Sequence, residues 1–429
     1  MSNADRALGT WGRLHWVGLA ALIAALGLCL MPGVADAQKK KKPDRVRIVS
    51  YNLYLGSDLN RVINAALAGD PDGIADASGA VFRNVVANDF TLRARAIAKR
   101  LKKNKVDLVG LQEAALWRLE VPTDGGAPSI LNPNATFALV PLIDYIDTLL
   151  EELNKKALSK RGCTRFEQKH PGKECYRGYK TVGLGVQTEA DAEQPADLDG
   201  NDQTGVDIPP DDPIFHGIDA DARLTMRDAL IVRKGSGIKL RNTRSSTFSP
   251  NSTLAFEIAG GIQTFTFTRG WVSTDANVRG KRFRLVNTHL ESESVGTFRE
   301  DQASELVAPG GPATAPRTVL IGDLNSDPAR PPTNLPDGDG GSNIAINRLF
   351  AAGFFPVQPP GLTGGHGELL SDLSNTLDNG RIDHILANSP SIRFRGGRIL
   401  DPIGGGLWAS DHGGVLSVLA IPGGKKKKK

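Results

Sequence analysis

At 429 residues the chain is too long for one minimal domain, leaving room for one large α/β domain or two smaller ones. A hydrophobic content of 40% and a charged content of 23% are ordinary for a soluble globular protein and exclude a wholly disordered chain. The net charge of +5 is carried by the chain ends: without the nine lysines of Lys39–Lys42 and Lys425–Lys429 the body stands at −4, which excludes a broadly basic, nucleic-acid-coating surface.

Residues 1–37 have the layout of a secretory signal peptide. "DRALGTWGRLHW" carries two arginines, "VGLAALIAALGLCLM" is a short apolar core, and "ADA" ends at Ala37 with small residues where a signal peptidase reads. The expectation is a secreted, extracellular protein, or a periplasmic one if the cell has an outer membrane. Residues 38–44 form a basic segment, 45–421 the folded domain, and 422–429 a basic tail. Cleavage removes Cys29 and leaves Cys163 and Cys175, which bracket a polar stretch. Two cysteines in an oxidising compartment predict one disulfide, and His170 alone is too little for zinc.

"RVRIVSYNLYLG" (45–56) alternates like a strand and ends in a polar loop. "DFTLRARAIAKRLKKNK" puts Phe90, Ala94, Ile97, Ala98 and Leu101 on one helical face. "VDLVGLQEA" then reads as a second strand, so strand, helix and strand predict mixed α/β layers. "PLIDYIDTLLEELNKKALSK" reads as one further amphipathic helix, and residues 188–222 as a long acidic loop or lobe. "RDALIVRKG", "GIQTFTFTRGWVS", "KRFRLVNTHLES" and "RTVLIGDLNSDP" supply four strands, 328–343 a loop, and "RIDHILANS" and "HGGVLSVLAI" the last two strands.

These strands run into polar residues: Asn52, Glu113, Asn287 with His289, Asp323 with Asn325, Asp383, and Asp411 with His412. Ligands of layered α/β folds commonly bind beyond strand ends, so the clusters predict a single site assembled from several loops. The acids and asparagines offer hard oxygen donors, which suit Mg²⁺, Mn²⁺ or Ca²⁺ rather than zinc. Asparagines and histidines among the acids point to an anionic substrate. Hydrolysis of a phosphoester needs this mixture of a metal, a base for water and donors to phosphoryl oxygens.

"SYNLYLG", "DLVGLQEA", "NTHLE", "GDLNSDP", "RIDHIL" and "SDHGGV", in this order, resemble the endonuclease/exonuclease/phosphatase superfamily from about residue 46 to 420, weakly between 121 and 225. The resemblance implies an α/β fold, a four-layer sandwich of two mixed β-sheets packed face to face with flanking helices, carrying an insertion at about 121–225. It implies a Mg²⁺- or Mn²⁺-dependent hydrolase of phosphoester bonds. Glu113 would be the principal metal ligand, with Asn52 and Asp411 beside the metal. Asp323 and Asn325 would position water and phosphate, Asn52 would also face the substrate, and His289 would contact the phosphate or leaving oxygen. His412, oriented by Asp383, would be the general base or a phosphate-stabilising group, a role left shared with Asp323. Asp327 reads as a turn residue, His384 as structural, His170, His216 and His366 as loop histidines, and Arg227-Asp228 as residues that either line the cleft or do not.

The substrate stays open between phospholipid and nucleic acid. "RGWVSTDANVRGKRFRLVNTHLES" is similar to a stretch of bacterial sphingomyelinases, favouring a phospholipase C-type enzyme, although no aromatic hairpin for a bilayer is evident; the acidic body argues against an extracellular nuclease. A non-enzymatic polyanion-binding protein would be expected to lack Glu113, Asp323 or His412, and all three are present. The lysine runs suggest electrostatic association with anionic membrane, envelope polymer or nucleic acid.

Overall fold

The computed structural model describes residues 44–422 apart from 70, 122–132, 135, 186–190, 197, 199–219, 250–251, 259–260, 293–296, 333–341, 375, 378–379, 401–402 and 405. The signal-peptide reading, both lysine runs, His216 and most of the acidic stretch of 188–222 lie outside the described residues.

The two principal sheets are built from β1 (Asp44–Asn52), β2 (Leu108–Gln112), β3 (Tyr179–Gly185), β4 (Asp228–Arg233), β5 (Ile238–Thr247), β6 (Gly270–Val278), β7 (Lys281–His289), β8 (Thr318–Asp323), β9 (Phe355–Pro356), β10 (Asp383–Ala387), β11 (Arg393–Leu400) and β12 (Gly414–Ile421). The first sheet has the order β11-β12-β1-β2-β4-β3 and the second β9-β10-β8-β7-β6-β5. Both are mixed: β1–β2 and β7–β8 are parallel pairs, and their other neighbours are antiparallel. The helices are α1 (Asn60–Ala68), α2 (Pro71–Ala87), α3 (Phe90–Lys103), α4 (Tyr145–Asn154), α5 (Lys160–Lys169), α6 (Phe298–Val307) and α7 (Ile344–Ala351).

The central strands of each sheet are apolar on both faces because both faces are covered, whereas the edge strands β5 and β11 are polar and largely exposed. Along β1, Ile48 enters the core between the sheets while Val49 enters the core under the helices; Leu108 and Val109 of β2 divide in the same way. In the second sheet Val319 and Ile321 point between the sheets, and Leu320 points to Ala303, Leu306, Ile346 and Leu349 of α6 and α7. The result is the expected four-layer order of helices, sheet, sheet and helices. Helix α3 follows its sequence pattern: Phe90, Ala94, Ile97, Ala98 and Leu101 are buried, Asp89 caps the Leu92 N–H at 3.1 Å, and Arg100, Lys102 and Lys103 occupy the last turn, where cations suit the helix dipole.

Several elements depart from the sequence reading. The single helix expected over 141–160 is a strand, Val140–Asp144, followed by α4, with Asp144 capping Ile146 N at 2.9 Å and Asp147 N at 3.1 Å; α5 begins only at Lys160. A cap that ends one element and starts the next cannot be told from a mid-helix acid by periodicity alone. That strand joins Leu116–Glu120, Ala220–Thr225 and Asp191–Ala196 in a separate four-stranded sheet, so parts of the presumed acidic loop are strands. "GIQTFTFTRGWVS" is two strands, Gly261–Phe267 in a hairpin and β6 in the second sheet. Cys163 and Cys175 form the expected disulfide, with Cα atoms 5.4 Å apart, but Cys163 lies on helix α5 rather than in a loop.

Register brings the polar strand ends together. His289 is opposite Asp323 and Asp323 opposite Asp383, a row across β7, β8 and β10, while Asn52 ends β1 opposite Gln112. Gly322 permits this row: a Cβ there would stand 1.9 Å from the Thr288 carbonyl oxygen of the neighbouring strand. Gly322→Ala must therefore push β7 and β8 apart. The expected loss is about 1–3 kcal/mol, the scale of overpacking, read as a lower urea midpoint at unchanged slope.

Candidate active site

Asn52 is the centre of the cluster. Its Nδ2 donates to Glu113 Oε1 at 2.8 Å and to Asp323 Oδ2 at 3.0 Å, and its Oδ1 accepts from Tyr54 N at 2.8 Å. One amide thus joins the ends of β1, β2 and β8, across both sheets. The other Glu113 oxygen, Oε2, accepts from Leu55 N at 2.8 Å. Asp323 Oδ1 accepts from Asn325 N at 2.9 Å, and its Oδ2 lies 3.7 Å from Nε2 of both His289 and His412. Asn325 donates from Nδ2 to Leu290 O at 2.9 Å and stands 3.1 Å from His289 Nε2.

His412 and Asp383 form a buried pair, Nδ1 to Oδ2 at 2.8 Å. Ser410 sets the loop that carries the histidine: its hydroxyl donates to Asn52 O at 2.7 Å and accepts from His412 N at 3.1 Å. Thr363 Oγ1 accepts from the N–H groups of Ile382 and Asp383, at 3.1 and 3.0 Å, and fixes the start of β10. Asp411, beside His412, keeps its side chain 22% exposed, with Oδ1 3.9 Å from His412 Nε2.

Burial and like charges dominate the electrostatics. Burial pushes Asp383 up to about 6 although His412 pulls it down, and burial together with the Glu113 and Asp323 carboxylates pushes Asp411 up to about 7. Burial alone would lower His412, yet the carboxylates of Asp383, Asp411 and Asp323 outweigh it and hold the imidazole well above the usual histidine range. Burial would raise Asp323, but His412, His289 and the Asn52 amide hold it below the usual carboxylate range.

All eight residues expected at the site, Asn52, Glu113, His289, Asp323, Asn325, Asp383, Asp411 and His412, are linked by these contacts and charge interactions. Asn287, expected with its strand-end neighbour His289, is not. Its Oδ1 accepts from Gln112 Nε2 at 2.5 Å and its Nδ2 donates to Leu111 O at 3.0 Å, so it bridges the sheets beneath the site. The strand alternation that turns His289 into the site turns Asn287, two residues earlier, to the same inner face but one layer deeper. Asp327 is a turn residue, accepting from Ala329 N and Arg381 N, each at 2.9 Å. His170 is the C-cap of α5, and His366 is pinned by the carbonyls of Gly367 and Asp372 at 2.7 and 3.0 Å and packs on Trp408.

Sequence reasoning missed Ser410, Thr363 and Arg269. Ser410 adjoins the "DH" pair and could have been read as its local hydrogen-bond partner. Arg269 is buried, with Nη1 3.0 Å from His289 Nδ1 and Nη2 3.1 Å from Glu291 Oε1; nothing in "TRGW" signals either contact.

The profile of the endonuclease/exonuclease/phosphatase family matches residues 49–412, from β1 to the His412 loop. The chain belongs to this family. No curated protein matches it in sequence. Similar solved structures include an endonuclease/exonuclease/phosphatase of Bacteroides vulgatus, at 15% identity and a TM-score of 0.46, covering 88% of this chain and 100% of that one. They also include a mannosyl-6-phosphatase of Bacteroides thetaiotaomicron, at 14% identity and a TM-score of 0.40 over 88% and 100% of the two chains. A third is D. rerio TDP2 with a single-strand DNA product, at 14% identity and a TM-score of 0.38 over 88% and 99%.

In this family member His384, next to Asp383 on β10, faces away from the row of His289, Asp323 and Asp383. It is 1% exposed, and its Nε2 lies 2.9 Å from Ser326 O. Burial holds it down to about 4. Its folded form is neutral where the unfolded form takes a proton, so its contribution is intact above about pH 6.5 and is lost as pH falls toward 4. Wild type should lose up to about 3 kcal/mol more than His384→Gln over that window, measured by urea unfolding at each pH.

Proposed function

We propose that this family member is a secreted, metal-dependent phosphoesterase that hydrolyses a phosphodiester by attack of water. The observation that carries the reading is the Asn52–Asp323 contact with His412–Asp383 beside it: an acid, an amide donor and an oriented imidazole stand together in one cluster. The crowded carboxylates fit a hard cation, because burial and neighbouring acids already disfavour the charge on Asp411. Oxygens of Asp323 and Asp383 and a ring nitrogen of His412 lie within 4.8 Å of one another, a spacing one cation could bridge. The Asp383–His412 hydrogen bond argues for a different division: these two are committed to each other, and Glu113, Asn52 and Asp411 would hold Mg²⁺ or Mn²⁺. When bound, the ion supplies positive charge against the phosphoryl oxygens.

The chain's own residues do the rest. Asp323 orients the attacking water and accepts its proton, while His412, kept protonated by the carboxylates around it, stabilises phosphoryl charge. Asp383 fixes the His412 ring through Nδ1 and leaves Nε2–H to donate. Asn325 and His289 donate to phosphoryl and leaving oxygens.

A lipid substrate is favoured over nucleic acid by an exposed apolar edge strand whose partner strand follows Glu113 in the chain. The strand Leu116–Glu120 starts three residues after Glu113 and pairs with Val140–Asp144, an edge strand around which Phe137, Leu139, Val140 and Leu142 are 43, 74, 68 and 45% exposed. Contiguous exposed apolar residues suit a lipid interface better than a phosphate backbone. The disulfide supports an oxidising compartment, and the terminal lysines would act as a salt-sensitive tether to anionic surfaces without altering turnover.

Hydrolysis of bis(p-nitrophenyl) phosphate should vanish with EDTA and return with Mg²⁺ or Mn²⁺ but not Zn²⁺. Asp323→Ala and His412→Ala should each lower kcat at least about 10²-fold, and Asp383→Asn should lower it by loosening His412 and removing the charge that keeps it protonated. Full activity in EDTA, or in either alanine variant, removes this reading. In a panel of sphingomyelin, phosphatidylcholine, phosphoinositides, DNA and RNA, a phospholipid should turn over fastest; hydrolysis confined to DNA or RNA overturns the lipid preference.

A further inference from the structure

The turns that carry Asn52, Glu113 and Asn325 share an unusual backbone. Tyr54, Glu113 and Asn325 are non-glycine residues with φ of 56°, 48° and 45°. A left-handed residue with a side chain is disfavoured by the contact of its Cβ with the following carbonyl and persists only where its surroundings hold it. In each turn a buried arginine from elsewhere in the fold provides that hold. Arg93 of α3 donates from Nη2 to Leu53 O at 2.6 Å and to Tyr54 O at 2.8 Å, and from Nη1 to Tyr54 O at 3.2 Å. Arg227, just before β4, donates from Nε to Ala114 O at 2.9 Å and from Nη2 to Ala115 O at 3.1 Å. Arg299 of α6 donates from Nη1 to Asn325 O. The three are 0, 7 and 0% exposed, so they face the turns from behind rather than reaching into the cleft.

We propose that Arg93, Arg227 and Arg299 are positioning residues, each holding one left-handed turn so that Asn52, Glu113 and Asn325 present their side chains to the reaction. The planar fork suits Arg93 and Arg227: each meets two successive carbonyls with donors fixed in one plane, a geometry that an ammonium on a flexible stem does not hold. Arg93 is the clearest case. It makes no ion pair among the described residues; its guanidinium lies 5.7, 4.9 and 5.5 Å from the ring centres of Tyr54, Phe90 and Tyr145. Ion pairing therefore does not explain its burial, whereas the two turn carbonyls do. The neighbouring carbonyls are also taken by side chains, Leu55 O by Trp117 and Tyr145 and Gly56 O by Asn88. Loss of the fork at Leu53 and Tyr54 should free the stretch whose amides fasten Asn52 Oδ1 and Glu113 Oε2.

The proposal rests on the phosphoesterase reading for its kinetic test only. Arg93→Lys keeps the charge but loses the planar donor set that meets Leu53 O and Tyr54 O together. In the folded variant, amide exchange at Tyr54 and Leu55 should accelerate at least tenfold while the β2 amides hold their rate. With bis(p-nitrophenyl) phosphate and Mg²⁺, kcat should fall at least tenfold and KM change less than threefold, since misplacement of reacting groups affects the chemical step. Wild-type kcat in folded Arg93→Lys, or exchange that accelerates evenly through β2, overturns the proposal. Should Arg93→Lys fail to fold, Arg227→Lys decides: it can keep the Asp144 pair but loses the fork on Ala114 and Ala115, and wild-type kcat in it is equally fatal. If the wild type hydrolyses no phosphodiester, the functional reading falls and the exchange measurement still tests the arginines.

Discussion

The side-chain amide of Asn52 is the interaction on which the site depends. Two sheets packed face to face have no hydrogen bonds of their own between them; their union is apolar and, by itself, tolerant of small slides. Asn52 removes that tolerance at one end, donating at once to an acid of its own sheet, Glu113, and to an acid of the opposite sheet, Asp323. Beneath it Gln112 and Asn287 make a second polar link between the sheets. The distances within the cluster are therefore constrained by buried polar contacts between the sheets as well as by the fit of the core.

Such an arrangement concentrates unfavourable terms. Glu113, Asp323, Asp383 and Asp411 converge, and buried carboxylates lose their hydration unless donors or cations replace it. The structure divides the task. Asp323 is compensated by two histidines and the Asn52 amide, Asp383 by His412, and Glu113 by an amide and a backbone N–H. Asp411, next to Glu113, is raised by burial and by its acidic neighbours. That crowding is what a divalent cation, if bound, would relieve.

The backbone near these residues is held from behind. The turns after β1, β2 and β8 are too short to form regular structure and too buried to be hydrated, so their carbonyls need side-chain donors. Buried arginines on α3, before β4 and on α6 meet that need. The outer layers thus contribute more than apolar cover: the helices carry the groups that fix the loops of the site.

The sequence by itself determined the layers and the members of the site. Alternation in "RVRIVSYN" and unbroken apolar runs in "TVLIGD" report strands buried on both sides, and six ordered polar strand ends name Asn52, Glu113, His289, Asp323, Asn325, Asp383, Asp411 and His412, because short-range pattern and residue chemistry are local properties. Boundaries inside 141–160 were not legible, since Asp144 is at once a strand end and a helix cap. Nor was the fate of Asn287, whose distance from the cleft depends on depth along a strand rather than on which face it takes. Only the tertiary structure decided that His289, Asp323 and Asp383 stand in one row, because that follows from the register of three strands drawn from 281–387. It alone assigned Arg93, Arg227, Arg299, Ser410 and Thr363 to their partners. The physical reason is the same in each case: these contacts join segments tens to hundreds of residues apart, or depend on which way a loop turns, and no periodicity along the chain encodes which distant carbonyl a buried donor will meet.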